Sequence, residues 1–261
     1  MNDETVLFER KGTSAAITIN RAERRNALNV HVADGIVAGI ERAEADPTCR
    51  SIILTGAGDR AFCAGGDLGK DQTGTPFETD FENPRNFIVK LLQRMIDCRL
   101  PIIARVNGHA LAGGFGLLCA CDMAVAVDTA RFGTPESRIG IFPMMILPHM
   151  LRVIPARHLM EMCITGEPID AEQARQFGIV NHVVPAAKLD EKVEWLAERV
   201  ARSSPTGIRL GKIALSAMRD MSIEQSLEYA QVMLQVMTST PDAIEGFRSF
   251  QEKRKPGWVV E

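Results

Sequence analysis

Several features missing from this 261-residue chain narrow its possible roles before any motif is considered. No C-x-x-C pair occurs among its six cysteines, Cys49, Cys63, Cys98, Cys119, Cys121 and Cys163, which argues against a zinc site or a thioredoxin-like redox pair. Their neighbours are mostly apolar, so they are expected to be reduced residues of the core. An excess of one charge is also missing. Lys+Arg total 30 against Asp+Glu 33, giving a net charge of -3 and a pI near 6.0, so no overall field draws the chain to nucleic acid or to an anionic membrane. An RNA-binding role therefore gets little support. No apolar run approaches the roughly 20 residues that span a bilayer. The start MNDETVLFER has neither the basic residues nor the apolar stretch of a secretory signal, and a cytoplasmic location without a membrane partner is expected. We find no internal repeat and no low-complexity segment.

What is present is a chain 46% hydrophobic, enough to bury one large core or a core with an appendage. Val6 to Arg10 and Ala15 to Ile19 are β-prone runs around Lys11-Gly12-Thr13, the pattern of an N-terminal hairpin. Ala27 to Glu44 carries Leu28, Val32, Ile36, Val37 and Ile40 at helical spacing, and Asp46-Pro47 ends that helix. Ser51 to Leu54, Ile102 to Ala104 and Ala124 to Val127 are short, wholly apolar or nearly so, and separated by helical stretches, which predicts buried strands in βα units. Beyond Pro155 the pattern turns almost wholly helical. Asp170-Ala-Glu-Gln173 and Ser222-Ile-Glu-Gln225 are capping boxes, Ser204-Pro205 is a cap with a first-turn proline, and Gly178 suits the end of the helix that Asp170 starts. Val180 to Val184 is a last short strand or an extended connector. The fold class is α/β, with a core followed by helices.

Two glycine-rich loops follow predicted strands, the position at which α/β sheets bind ligands. Ala61 to Leu68 is a run of small residues in which glycine would let backbone N–H groups approach a ligand; a tight turn is the plainer alternative. It is not a nucleotide loop, because Lys70 is followed by Asp71 and the glycine spacing is wrong. Asn107 to Gly116 leads into the apolar Leu117 to Cys121, so it either leaves the first N–H groups of a helix unobstructed or serves close packing. Two such loops on adjacent strands could form a two-donor oxyanion hole. Glu136 follows Pro135 among Phe132, Ile139 and Phe142. It is either a first-turn charge favoured by the helix dipole or a general base whose pKa an apolar wall raises. His109 could contact a ligand in its loop, whereas His149, His158 and His182 have ordinary helix or loop settings, and no serine or cysteine has the flanks of a triad nucleophile. Met144-Met145 and Met160 to Met162 suit flexible packing around an acyl pocket.

Taken together, these segments resemble the enoyl-CoA hydratase/isomerase (crotonase) superfamily over essentially the whole chain. The resemblance runs through Asn20 to Asn29, Ala61 to Leu68, Asn107 to Asp122, Phe132 to Gly140, Thr165-Gly166, Ala174 to Val180 and Glu245 to Trp258, in that order. It implies a crotonase-like (ClpP/crotonase) α/β spiral of ββα units over residues 1–200, holding the acyl-CoA site. Residues 201–261 would then be a helical trimerisation region, in a homotrimer or dimer of trimers. It puts the oxyanion N–H groups on Gly66 and Gly113 and the acid/base carboxylate on Glu136. Arg25, Ala27, Ala64, Asp67 and Leu68 fall along the path of the CoA, with Phe250 and Lys253 reaching the CoA of a neighbouring subunit. No metal or redox cofactor is implied, since CoA is part of the substrate. Two departures stand out. Gly116 occupies the position of the family's first catalytic glutamate, which points away from two-carboxylate hydration and towards double-bond isomerisation. Ile141 to Ile146 replaces a segment that is glycine-rich in short-chain hydratases, which implies a differently shaped acyl pocket. The resemblance also leaves open hydration or dehydration with another water-holding group, or a non-catalytic CoA-binding subunit.

Overall fold

A computed structural model describes residues 4–68, 81, 82 and 84–259. The predicted hairpin is present, with β1 (Val6–Lys11) antiparallel to β2 (Ser14–Ile19) across Gly12, whose φ of 56° suits glycine. The first helix, α1 (Val30–Ala45), begins three residues after the predicted start at Ala27. Asn29 caps it by accepting the Val32 N–H at 3.0 Å, and Leu28 belongs instead to a β-bridge with Gly66.

The chain then repeats one unit. β3 (Ser51–Gly56), β4 (Ala61–Cys63) and α2 (Phe87–Ile96) form the first turn; β5 (Ile102–Val106), β6 (His109–Leu111) and α3 (Gly113–Cys119) form the second. The third consists of β7 (Met123–Val127), β8 (Arg131–Gly133), a 3-10 turn at Pro135–Ile139 and α4 (Leu147–Val153). In each unit the first strand joins a six-stranded sheet of order β1-β2-β3-β5-β7, completed by a later strand. The second strand joins a small sheet in which β4, β6 and β8 run parallel. This is the expected spiral of ββα units. Ala61 to Cys63 and His109 to Leu111, expected as loop, are therefore strands, each too short for alternation to show.

α5 (Ala156–Thr165), β9 (Ile169–Asp170) and α6 (Ala171–Gln176) follow, and β9 closes the small sheet antiparallel to β8. β10 (His182–Val184) completes the large sheet beside β7, and α7 (Leu189–Ala201) packs on β5 and β7. The chain ends with α8 (Pro205–Met218), α9 (Ile223–Thr238) and α10 (Pro241–Gln251). The capping boxes at Asp170 and Ser222 and the Ser204 cap form as predicted, and Gly178 takes a positive φ of 80°. Phe62, Phe115 and Phe132 are fully buried in the core, where the last two rings sit 6.5 Å apart. All six cysteines are free. No helix among the described residues is long and apolar enough to cross a membrane.

Candidate active site

The spiral brings the C-terminal ends of β4 and β6 together, and two backbone N–H groups meet there. Leu28 donates its N–H to the Gly65 carbonyl at 2.7 Å and accepts the Asp67 N–H at 2.7 Å. In a parallel bridge of this kind the residue between those two, Gly66, turns its own N–H to the opposite side. On that side lies Gly113, the first residue of α3: a Cβ built on Gly113 would stand 3.6 Å from the Gly66 nitrogen. The first N–H groups of a helix have no intrahelical partner. Neither the Gly66 nor the Gly113 N–H donates to a protein group among the described residues.

Close packing between loops sets this arrangement. A Cβ on Gly114 would fall 2.1 Å from the Cys63 carbonyl oxygen, so α3 can abut the end of β4 only with glycine there. Ala112 turns the chain into α3 at φ 50°, a sparsely populated conformation for a residue with a Cβ, and its N–H is held by the Gly133 carbonyl at 2.9 Å. Buried polar side chains brace the other loop. The Asn26 amide donates to the Ala61 carbonyl at 2.7 Å and the Ala57 carbonyl at 3.0 Å. Arg21 pairs with Asp67 at 2.7 Å and donates to the Ala27 carbonyl at 2.8 Å. Asn107 accepts the Gly56 N–H and donates to the Gly58 carbonyl.

Glu136 lies in the 3-10 turn that follows β8. The turn starts from the buried Thr134, whose hydroxyl donates to the Met162 carbonyl, and ends at Gly140 in the left-handed region. Gly66, Gly113 and Glu136 line one cavity of about 420 Å³, together with Ala64 and Leu68. The rest of its wall is largely apolar and includes Ile88, Ile139, Phe142, Met144 and Ile146. Oε2 of Glu136 is buried and has no hydrogen-bond partner among the described residues. Burial raises its pKa above the ordinary glutamate value, opposed in part by the residue's own N–H. Arg138, which ion-pairs with Glu167, is the other charged side chain on the described wall.

The remaining predicted residues fall into three groups. Ala64 and Leu68 are on the wall. Arg25, Ala27 and Asp67 are beside it but contribute to the loop's framework: the Arg25 carbonyl accepts the Ala64 N–H at 3.0 Å, Ala27 is buried, and the Asp67 carboxylate is engaged by Arg21. Phe250 and Lys253 do not line this chain's cavity, and Phe250 is 86% exposed. His109 is off the wall, with Nδ1 accepting the Arg131 N–H. The Cys63 thiol, next to the loop, is pushed up to about 12 by burial and is no nucleophile at neutral pH. Gly116 does not reach the cavity, because Ile146 stands in front of it. The bracing residues Arg21, Asn26 and Asn107 were not singled out from sequence. Their signal was weak, amounting to polar residues inside otherwise apolar segments.

A family model described as Enoyl-CoA hydratase/isomerase matches residues 9–260. The chain belongs to this family. Among its curated relatives, carnitinyl-CoA dehydratase of Citrobacter koseri is 35% identical over 263 residues, covering 98% of each chain. (E)-Benzylidenesuccinyl-CoA hydratase of Thauera aromatica is 33% identical, covering 97% of this chain and 98% of the relative. Among solved structures, an enoyl-CoA hydratase of Mycobacterium smegmatis superimposes with a TM-score of 0.89 at 27% identity, covering 98% of this chain and 99% of that one. Family membership makes this chain an enzyme acting on CoA thioesters.

Proposed function

We propose that the enzyme isomerises the double bond of an unsaturated acyl-CoA, converting a 3-enoyl thioester to a 2-enoyl thioester. The observation that carries this reading is a buried carboxylate whose Oε2 has no partner among the described residues, on a largely apolar wall shared with two N–H groups that donate to no protein group among those residues. The thioester oxygen accepts hydrogen bonds from Gly66 and Gly113, which stabilises negative charge on it; each such donor is typically worth about 3 kcal/mol. Ionised Glu136 removes a proton from C2, and the electron pair passes into the enolate. The enolate re-forms the carbonyl, the double bond moves to C2–C3, and C4 takes the proton back from the Glu136 carboxyl. Atoms and charge balance without a second acid.

The CoA path assigned to Arg25, Ala27, Ala64, Asp67 and Leu68, and the reach of Phe250 and Lys253 to a neighbour's CoA, belong to the same reading. So does assembly through residues 201–261 as a trimer or dimer of trimers in the cytoplasm. The exposed apolar side chains of α9 and α10 support that assembly. A second reading, hydration or its reverse, is favoured by the names of the relatives. It requires a water-holding group other than residue 116. Incubation with 2-enoyl-, 3-enoyl- and branched unsaturated CoA esters, with products separated by liquid chromatography and identified by mass, decides between them. The proposal expects an isobaric product from 3-enoyl esters; a product heavier by one water as the main outcome would contradict it.

A further inference from the structure

The two departures noted in the sequence, at 116 and at 141–146, are one feature in space. A Cβ on Gly116 would lie 2.1 Å from Cγ2 and 2.3 Å from Cβ of Ile146, so the two positions cannot both carry side chains in this arrangement. Ile146 is 3% exposed and forms part of the wall that holds Glu136, while Gly116 lies behind it. Ile146 is fixed in place. Its carbonyl accepts the His149 and Met150 N–H groups at 3.1 and 3.2 Å at the start of α4, and its branched side chain is stiff at χ1. α3 is equally fixed, since Gly114 seats it against Cys63.

We infer that Ile146 is a specificity-determining residue, a wedge occupying the space into which a side chain at 116 would project and keeping water from being held beside the acyl chain there. This rests on the isomerase reading above. A water poised to add to a double bond needs two or more polar partners. Around Ile146 the wall offers Phe142, Pro143, Met144 and Met145; of the two charged side chains on the described wall, Arg138 is engaged by Glu167, leaving Glu136 as the acceptor. With no held water, the enolate is quenched on carbon by the proton that Glu136 carries.

The test compares wild type with Ile146→Ala, which removes the branch and opens part of the space, and Ile146→Thr, which keeps the β-branch, gives up the δ-methyl and supplies a hydroxyl. Each is given one 3-enoyl-CoA and the matching 2-enoyl-CoA, and hydrated and isomerised products are separated from substrate by liquid chromatography and identified by mass. The expected result is a rise of about 10-fold or more in the hydrated-to-isomerised ratio for both variants, the equivalent of roughly 1.4 kcal/mol between barriers. An unchanged ratio in either folded variant, with isomerisation intact, overturns the role of Ile146 and leaves the isomerase reading standing. A wild type that converts neither ester overturns the isomerase reading itself. In that case thermal melting still decides whether Ile146 holds the space: Gly116→Ala should lower Tm in wild type and have little effect beside Ile146→Gly, which removes the Cβ that an Ile146→Ala variant would keep. Equal losses in both backgrounds would overturn the wedge.

Discussion

Burying the Glu136 carboxyl, with Oε2 unpartnered among the described residues, makes it a stronger base and makes the fold less stable, and one substitution separates the two effects. Glu136→Gln keeps the shape and removes the base, so kcat should fall by about 100-fold or more. Because the folded pKa is raised, the folded state holds this proton more tightly than the unfolded chain does. The group's contribution is therefore full below the unfolded pKa and lost as pH rises through the folded one. Glu136→Gln should accordingly melt no lower than wild type at neutral pH, and its relative advantage should shrink towards acid. The pH profile of kcat/KM in wild type should show an acid limb above the ordinary glutamate pKa. Near-normal turnover of the variant would return Glu136 to the role of a first-turn charge. Gly113 gives a second test. Its φ lies outside the left-handed region and the nearest neighbour of an added Cβ is 3.4 Å away, so Gly113→Ala should fold. The methyl would cover the Gly66 N–H and block the oxyanion, cutting kcat/KM by about 100-fold; an unchanged rate in a folded variant would remove the oxyanion assignment. These residues were legible because glycine runs and a Pro-Glu pair are visible in sequence. Ile146 was legible only as the end of the departing segment Ile141 to Ile146; its pairing with Gly116 was not, since the two meet across thirty positions.

At the level of elements, residues 64–68, which follow β4, are held by a buried ion pair. Arg21 and Asp67 side chains are 9% and 6% exposed. Removing one partner leaves an uncompensated charge inside, so Asp67→Ala should destabilise by about 3–5 kcal/mol, measured by denaturant melts. A variant with normal stability and a raised KM would show instead that the Asp67 carboxylate serves the CoA directly. The buried strands and the capped helices could be read from sequence because apolar runs and caps are local signals. The start of α1 could not, because Leu28 follows helical spacing yet is drawn into a bridge with Gly66, a residue 38 positions away. β4 and β6, three residues each, were invisible for a related reason: they exist only through their neighbours in the spiral.

For the whole molecule, the C-terminal helices carry the surface through which copies of the chain are expected to assemble. α9 buries none of its residues and exposes Ile223, Leu227, Val232 and Leu234, while α10 exposes Ile244 and Phe247. Apolar area of that kind marks a protein interface. Sedimentation should therefore show a trimer or hexamer. If Lys253 serves a neighbour's CoA, Lys253→Glu should raise KM strongly with kcat nearly unchanged. A fully active monomer at assay concentration would rule out the shared site. The central claim, an enolate formed by one carboxylate and two N–H groups, is tested most directly by following a 3-enoyl-CoA thioester with the wild-type enzyme in deuterium oxide by mass spectrometry. The account predicts a 2-enoyl product of unchanged composition apart from deuterium. A water adduct as the first product, or a thioester that neither converts nor exchanges its C2 protons, would contradict it.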